Sequence, residues 1–235
     1  MSWHQGAMLA FDTETTGTDP TEARIVTACA ARLGAGQQTQ VRSWLANPGV
    51  PIPAEATAVH GITDERARAE GADAAEVVDQ LADALVEAWL EGLPVVAMNF
   101  AYDGTVLVHE LERHGLVPLA DRLGATPMLV IDPLVIDRAL DRFRKGKKRL
   151  TDLCAAYHVE LLDAHDACAD AIGAARVAWR MAERFPAELQ RDLMELQTLQ
   201  ATWHLAWAES FEEWMRANVD ATIEIERHWP VRTPS

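Results

Sequence analysis

The order of its short apolar runs restricts what this chain can fold into more than any other feature. Residues 7–12 (AMLAFD), 24–33 (RIVTACAARL) and 40–46 (QVRSWLA) are separated only by turn-prone segments, and the third closes on Asn47, Pro48 and Gly49. Such runs read as three strands of an antiparallel meander. The pattern then changes period. Val77, Val78, Leu81, Leu85 and Trp89 recur at helical spacing between acids over 73–91, which predicts an amphipathic helix. PVVAMNF (94–100) reads as a fourth strand, followed by a helical pattern through Leu107, Leu111 and His114 that stops at Gly115. MLVID (128–132) reads as a fifth strand, Pro133 is placed to open the next helix, and a short helical stretch covers 150–157. A meander followed by strand–helix units predicts an α/β fold, a mixed five-stranded sheet flanked by helices. From Asp166 onward the chain reads as helical: 167–185, a break at Pro186, then 187 to about 217. The expected organisation is a domain over residues 1–185 and a C-terminal helical extension over 186–235.

At 235 residues, 49% apolar and 24% charged, the chain can build a substantial core, and wholesale disorder is excluded. No run approaches the ~18 apolar residues of a membrane span, and the start lacks a basic region followed by an apolar one. A cytoplasmic address and no membrane partner are therefore expected. Cys29, Cys154 and Cys168 are an odd number without CxxC spacing, so reduced, buried thiols are expected. The net charge of −15 argues against a polyanionic partner in general. However, seven of the 21 basic residues fall between Arg138 and Arg149, either a local phosphate contact or a solvated loop around Gly146.

Three segments carry acids where strands end and helices begin. Asp12 and Glu14 lie two apart on an extended chain and so point to one side. Two carboxylates so close resist joint ionisation unless a hard divalent cation neutralises them, although a lone DxE also occurs as a surface pair. Asp103, after the fourth strand, falls in the first turn of a helix, where an acid is favoured by the dipole and also serves as an ordinary cap. His165 and Asp170 flank the start of the helix at 167.

Taken in order, these segments resemble the DEDDh exonucleases, the DnaQ-like family of proofreading and related 3′→5′ exonucleases. FDTETTG is similar to its first motif, NFAYD to the second and HDACAD to the third. IPAEATAVHGIT and RLTDLCAAYHVEL followed by AHDA resemble the segments between them, so the resemblance covers about residues 7–185. It implies an RNase H-like sheet and phosphodiester hydrolysis with two Mg²⁺ or Mn²⁺ ions. By that resemblance Asp12, Glu14, Asp103 and Asp170 would hold the metals and His165 would be the general base. The related class with a tyrosine base is disfavoured, because Asp166 stands where that tyrosine would be.

The resemblance also implies substrate contacts at Thr15, Thr16, Gly17, Asn99 and His60, with a structural role for His60 equally open. Tyr102 would stack on a base or pack in the core. Charge alone suggests Arg144, Lys147 and Lys148 for the rest of the strand. The expected activity is removal of nucleoside 5′-monophosphates from single-stranded or frayed DNA 3′ ends in proofreading or repair. Short RNA as substrate and a non-catalytic binding subunit are the alternatives. In the tail, Leu189, Leu193, Leu196, Trp203, Trp207, Phe211 and Trp214 form an apolar face that either packs on the body or meets a replication or repair partner or a second copy.

Overall fold

The computed structural model describes residues 2–161 and 165–232. The junction of the AHDA segment at Ala164, and the ends of the two expected units at residue 1 and residues 233–235, lie outside the described residues. The first three runs form β1 (Ala7–Thr15), β2 (Ile25–Gly34) and β3 (Gln40–Asn47), an antiparallel meander in which Asp12 stands opposite Cys29. Two helices then follow, α1 (Ala54–His60) and α2 (Asp64–Glu70). β4 (Ala72–Asp73) leads into α3 (Ala74–Leu90), β5 (Val95–Val96), α4 (Phe100–Arg113), α5 (Leu119–Leu123) and β6 (Val130–Ile131). The remainder is helical: α6 (Pro133–Leu140), α7 (Leu150–Ala156), α8 (Ala167–Arg184), α9 (Pro186–Leu189) and α10 (Leu193–Asn218).

The sheet order is β4-β3-β2-β1-β5-β6, with β5 parallel to β1 and β6 parallel to β5. All five expected strands are present, and the two-residue β4 adds a sixth, parallel to β3. β5 and β6 are shorter than their apolar runs because the chain turns early into helices. Asn99 adopts φ 65° as it enters α4, and Asp132 caps α6.

Alternation along β1 divides the core. Leu9 and Phe11 face α3 and α4 with Val78, Leu81, Leu85, Phe100 and Leu107, whereas Met8 and Ala10 face α8 with Val177, Ala178 and Met181. Each fully buried large side chain contributes about 1.5–3 kcal/mol of apolar transfer. The α8 face is built of Ala167, Ala171, Ala174, Ala175, Ala178 and Ala182, all buried. Such small side chains let its backbone approach β1 and β2 closely. One consequence corrects an expectation from sequence: Cys29 and Cys168 are joined as a disulfide, their Cα atoms 5.1 Å apart, and only Cys154 is a free, buried thiol. Residues 139 positions apart give no spacing signal; the packing of α8 on β2 brings them within bridging range.

The tail is integrated with the body. Leu189 and Leu196 are fully buried beside the α8 side of the sheet. The buried stripe of α10 is Leu196, Gln200, His204, Ala208 and Glu212; of the expected apolar face Leu189 and Leu196 are buried and Leu193 and Trp203 pack partly against the core, whereas Trp214 is exposed. Gln197 accepts from the Val130 amide, while Gln200 accepts from the Asp132 amide and donates to the Val130 carbonyl. These amides therefore satisfy the open edge of β6. Among the described residues no helix is long and apolar enough to cross a membrane.

Candidate active site

Asp12 and Glu14 share the α8 face of β1, as their two-residue spacing requires, and the register with β2 slips just beyond Glu14. Asp170 lies in the first turn of α8, whose N-terminus is capped by Asp166 through the Cys168 and Ala169 amides. The Asp170 carboxylate accepts the His165 amide at 3.2 Å, with His165 held at φ 74°. This fold-back brings one ligand atom each from Glu14, His165 and Asp170 within 4.8 Å of one another.

Asp103 reaches the same place from the other face. It is buried in the first turn of α4 and accepts the Thr13 hydroxyl at 2.5 Å, Thr13 being the β1 residue between Asp12 and Glu14. α4 is positioned by Asp132, whose two carboxylate oxygens accept the Asn99 and Phe100 amides at 2.9 and 3.0 Å. Asn99 thus enters by its backbone, at the turn into the helix. Thr13, Asp132 and Asp166 are organising residues that the sequence reading missed. For Asp132 and Asp166 a signal existed, an acid immediately before a helix start.

Electrostatics report the crowding. Burial first, then the carboxylates of Asp103 and Glu14, push Asp12 well above the ordinary carboxylate value. Burial and Asp170 raise Glu14 to about 8, and burial raises Asp103 to about 7 against the opposing bonds from Thr13. Asp170 is raised as well, chiefly by burial, and its Oδ1 is buried with no hydrogen-bond partner among the described residues. Four acids that cannot comfortably ionise together, one with an orphaned oxygen, form a donor set suited to hard divalent cations.

The expected substrate residues distribute around this cluster. Tyr102 binds the Thr15 hydroxyl at 2.5 Å and donates to the Gly17 carbonyl, so it clamps the loop after β1. Thr16 pairs its backbone and hydroxyl with Arg24, while Gly17 is exposed. His60 and His165 line one cleft of about 300 Å³ together with Thr27, Trp44 and Arg66. The His60 Nδ1 accepts the Ile62 amide, its Nε2 is buried with no hydrogen-bond partner among the described residues, and burial lowers its pKa. Arg144 and Lys148 both bind the buried Asp137 carboxylate, at 3.0 and 2.5 Å, whereas Lys147 is exposed.

The exonuclease profile of the RNase T family matches residues 9–178, a span that contains every acid of the cluster and His165. The chain belongs to that exonuclease family. A 59-residue segment is 51% identical to a DNA polymerase III subunit epsilon-like protein of Rhodobacter capsulatus, covering 24% of this chain and 8% of that protein. The fold is that of exonuclease I. The zinc-bound E. coli exonuclease I–ssDNA complex superposes with a TM-score of 0.68 at 23% identity, over 84% of this chain and 43% of that one. E. coli exonuclease I with a dT13 oligonucleotide gives 0.64 at 23% identity, over 78% and 42%. Exonuclease I of Methylocaldum szegediense gives 0.65 at 24%, over 86% and 46%. This exonuclease-family chain therefore spans less than half the length of those structures.

Proposed function

We propose that the chain is a divalent-metal-dependent 3′→5′ exonuclease acting on single-stranded or frayed DNA ends. The observation that carries this is the convergence of Glu14, His165 and Asp170, with Asp12 and Asp103 electrostatically joined to them, at one end of an exonuclease-family sheet. The solved relatives hold single-stranded DNA, and the Rhodobacter relative is named for a polymerase subunit, which supports a proofreading or repair setting.

Asp12, Glu14 and Asp170 would hold one cation, and Asp103 with Asp12 a second. Bound there, Mg²⁺ or Mn²⁺ ions supply acidification of a water and stabilisation of charge on the leaving 3′-oxygen. The chain's own part is positional and protolytic. His165, exposed at the rim, accepts a proton from the attacking water through its imidazole. The water oxygen bonds to phosphorus as the P–O3′ bond breaks, releasing a nucleoside 5′-monophosphate and a shortened strand with a new 3′-hydroxyl. Tyr102 and Thr15 hold the Gly17 backbone as a fixed wall for the terminal nucleotide.

The test is incubation with a 5′-labelled deoxyoligonucleotide and a matched ribo-oligonucleotide in Mg²⁺ or Mn²⁺. A DNA ladder shortened from the 3′ end and abolished by EDTA is expected. Intact DNA under every divalent metal refutes the reading, and degradation confined to RNA reassigns the substrate.

A further inference from the structure

A second feature of the molecule lies outside the acidic cluster, on the outer side of the α6–α10 pair. A groove of about 530 Å³ runs there between Arg138, Arg142 and Lys148 on one wall and Trp203, Trp207, Phe211 and Trp214 of α10 on the other. No acid lines it. The aromatic face of α10 that the sequence marks for burial is left half open here, with Trp214 54% exposed, because the inward stripe of that helix is the Leu196–Glu212 row.

Its geometry is ordered. Trp207 and Phe211 stack with centroids 5.3 Å apart and planes 16° from parallel; Phe211 and Trp214 follow at 6.2 Å and 9°. The Arg138 guanidinium lies 3.5 Å over the Trp207 ring, and Arg142 lies 5.0 Å from the ring of Phe143, which is 86% exposed. A stacked guanidinium still presents five in-plane N–H donors. Among the described residues neither Arg138 nor Arg142 has an ion pair or a side-chain hydrogen bond, although the chain carries 36 acids. Largely desolvated, Arg138 is pulled down to about 10, against the attraction of Asp132 and Asp137. Arginines without an ion pair in so acidic a chain call for an anion, and an aromatic row that ends in an exposed ring calls for a planar group.

We infer that this groove is a second binding site for single-stranded nucleic acid, with phosphates met by Arg138 and Arg142 and a base stacked on Trp214, the exposed end of the aromatic row. Such platforms bind strands without reading sequence. The inference rests on the nuclease reading for the identity of the strand, which would be the substrate beyond its reacting end.

The experiment measures anisotropy of 5′-fluorescein-(dT)15 with the full chain in EDTA across a salt series. Arg142→Ala and Trp214→Ala alter exposed side chains, so folding is retained. Trp214→Ala weakens binding at least fivefold, in line with ~1–3 kcal/mol per stacked base. Arg142→Ala lowers the slope of log affinity against log salt by about one. Oligonucleotides carrying 5-iodouracil crosslink to α10. Affinity unchanged within twofold in both variants, or crosslinks confined to the cleft of His60 and His165, overturns the proposal. So does a variant that changes sedimentation without changing affinity, since the face is then an interface between copies. Hydrolysis of thymidine 5′-monophosphate p-nitrophenyl ester with Mn²⁺ by the unaltered chain is read separately. If that fails while (dT)15 still binds through α10, the nuclease reading falls and the groove stands.

Discussion

Asp132 shows how much of the geometry of an acidic cluster can depend on a residue outside it. Its carboxylate accepts the Asn99 and Phe100 amides at the start of α4 and the Leu134 amide at the start of α6, while being almost fully buried. Asp132→Ala strands three buried donors and is expected to cost about 2–4 kcal/mol in urea unfolding, with Asp132→Asn costing less because one acceptor oxygen remains. Turnover is expected to fall along with it, since Asp103 rides on the same first turn of α4. His165 makes the opposite kind of residue-scale prediction. His165→Ala removes an exposed imidazole and leaves stability unchanged, yet single-turnover hydrolysis is expected to drop by ~10²–10⁴ if it takes the proton. Near-normal turnover assigns the base elsewhere.

At the scale of elements, two helices matter most. α8 brings Asp170, and the turn just ahead of it brings His165, to β1 because its alanine face permits close approach, and the Cys29–Cys168 bond ties the first turn of that helix to β2. α10 acts on the opposite edge. Gln200 replaces the missing neighbour of β6, accepting from the Asp132 amide at 2.8 Å and donating to the Val130 carbonyl at 2.8 Å. Gln200→Ala leaves both backbone groups buried and unpaired, so a loss of about 1–3 kcal/mol is expected by chemical denaturation, whereas Gln200→Glu restores only the acceptor. No loss with alanine means that water replaces the side chain.

Across the whole molecule, the clustered acids couple folding to pH and metal. Glu14 is raised from 4.5 to about 8 and Asp103 from 3.8 to about 7. A carboxyl that holds its proton more firmly when folded stabilises the fold below its unfolded value, and that contribution is lost as pH rises through the folded value. In EDTA this cluster therefore lowers thermal stability progressively from about pH 4 to about pH 8. On the proposed metal site, cations compete with protons for the cluster, so Mn²⁺ is expected to raise Tm more at pH 8 than at pH 6. Calorimetric scans of the unaltered chain and Glu14→Gln, with and without Mn²⁺, check this; a metal shift independent of pH contradicts it. Glu14→Gln is expected to flatten the metal-free profile in the same window.

The local pattern of this sequence was enough to specify five of its six strands, its main helices and the order in which acids meet strand ends, because period and turn chemistry are carried by neighbouring residues. Thus β1 with Asp12 and Glu14 on one face, and Asp103 and Asp170 in first helical turns, were legible in advance. Tertiary packing alone decided which distant groups meet. The Cys29–Cys168 bond, the Thr13–Asp103 and Asp132–α4 hydrogen bonds, and the capture of Arg144 and Lys148 by Asp137 join residues that no spacing relates. The face of α10 was decided the same way. Leu196 and Trp203 of the expected apolar stripe do pack on the body, but the unpaired backbone of β6 also draws Gln197 and Gln200 inward, and the C-terminal end of the stripe is left open at Trp214.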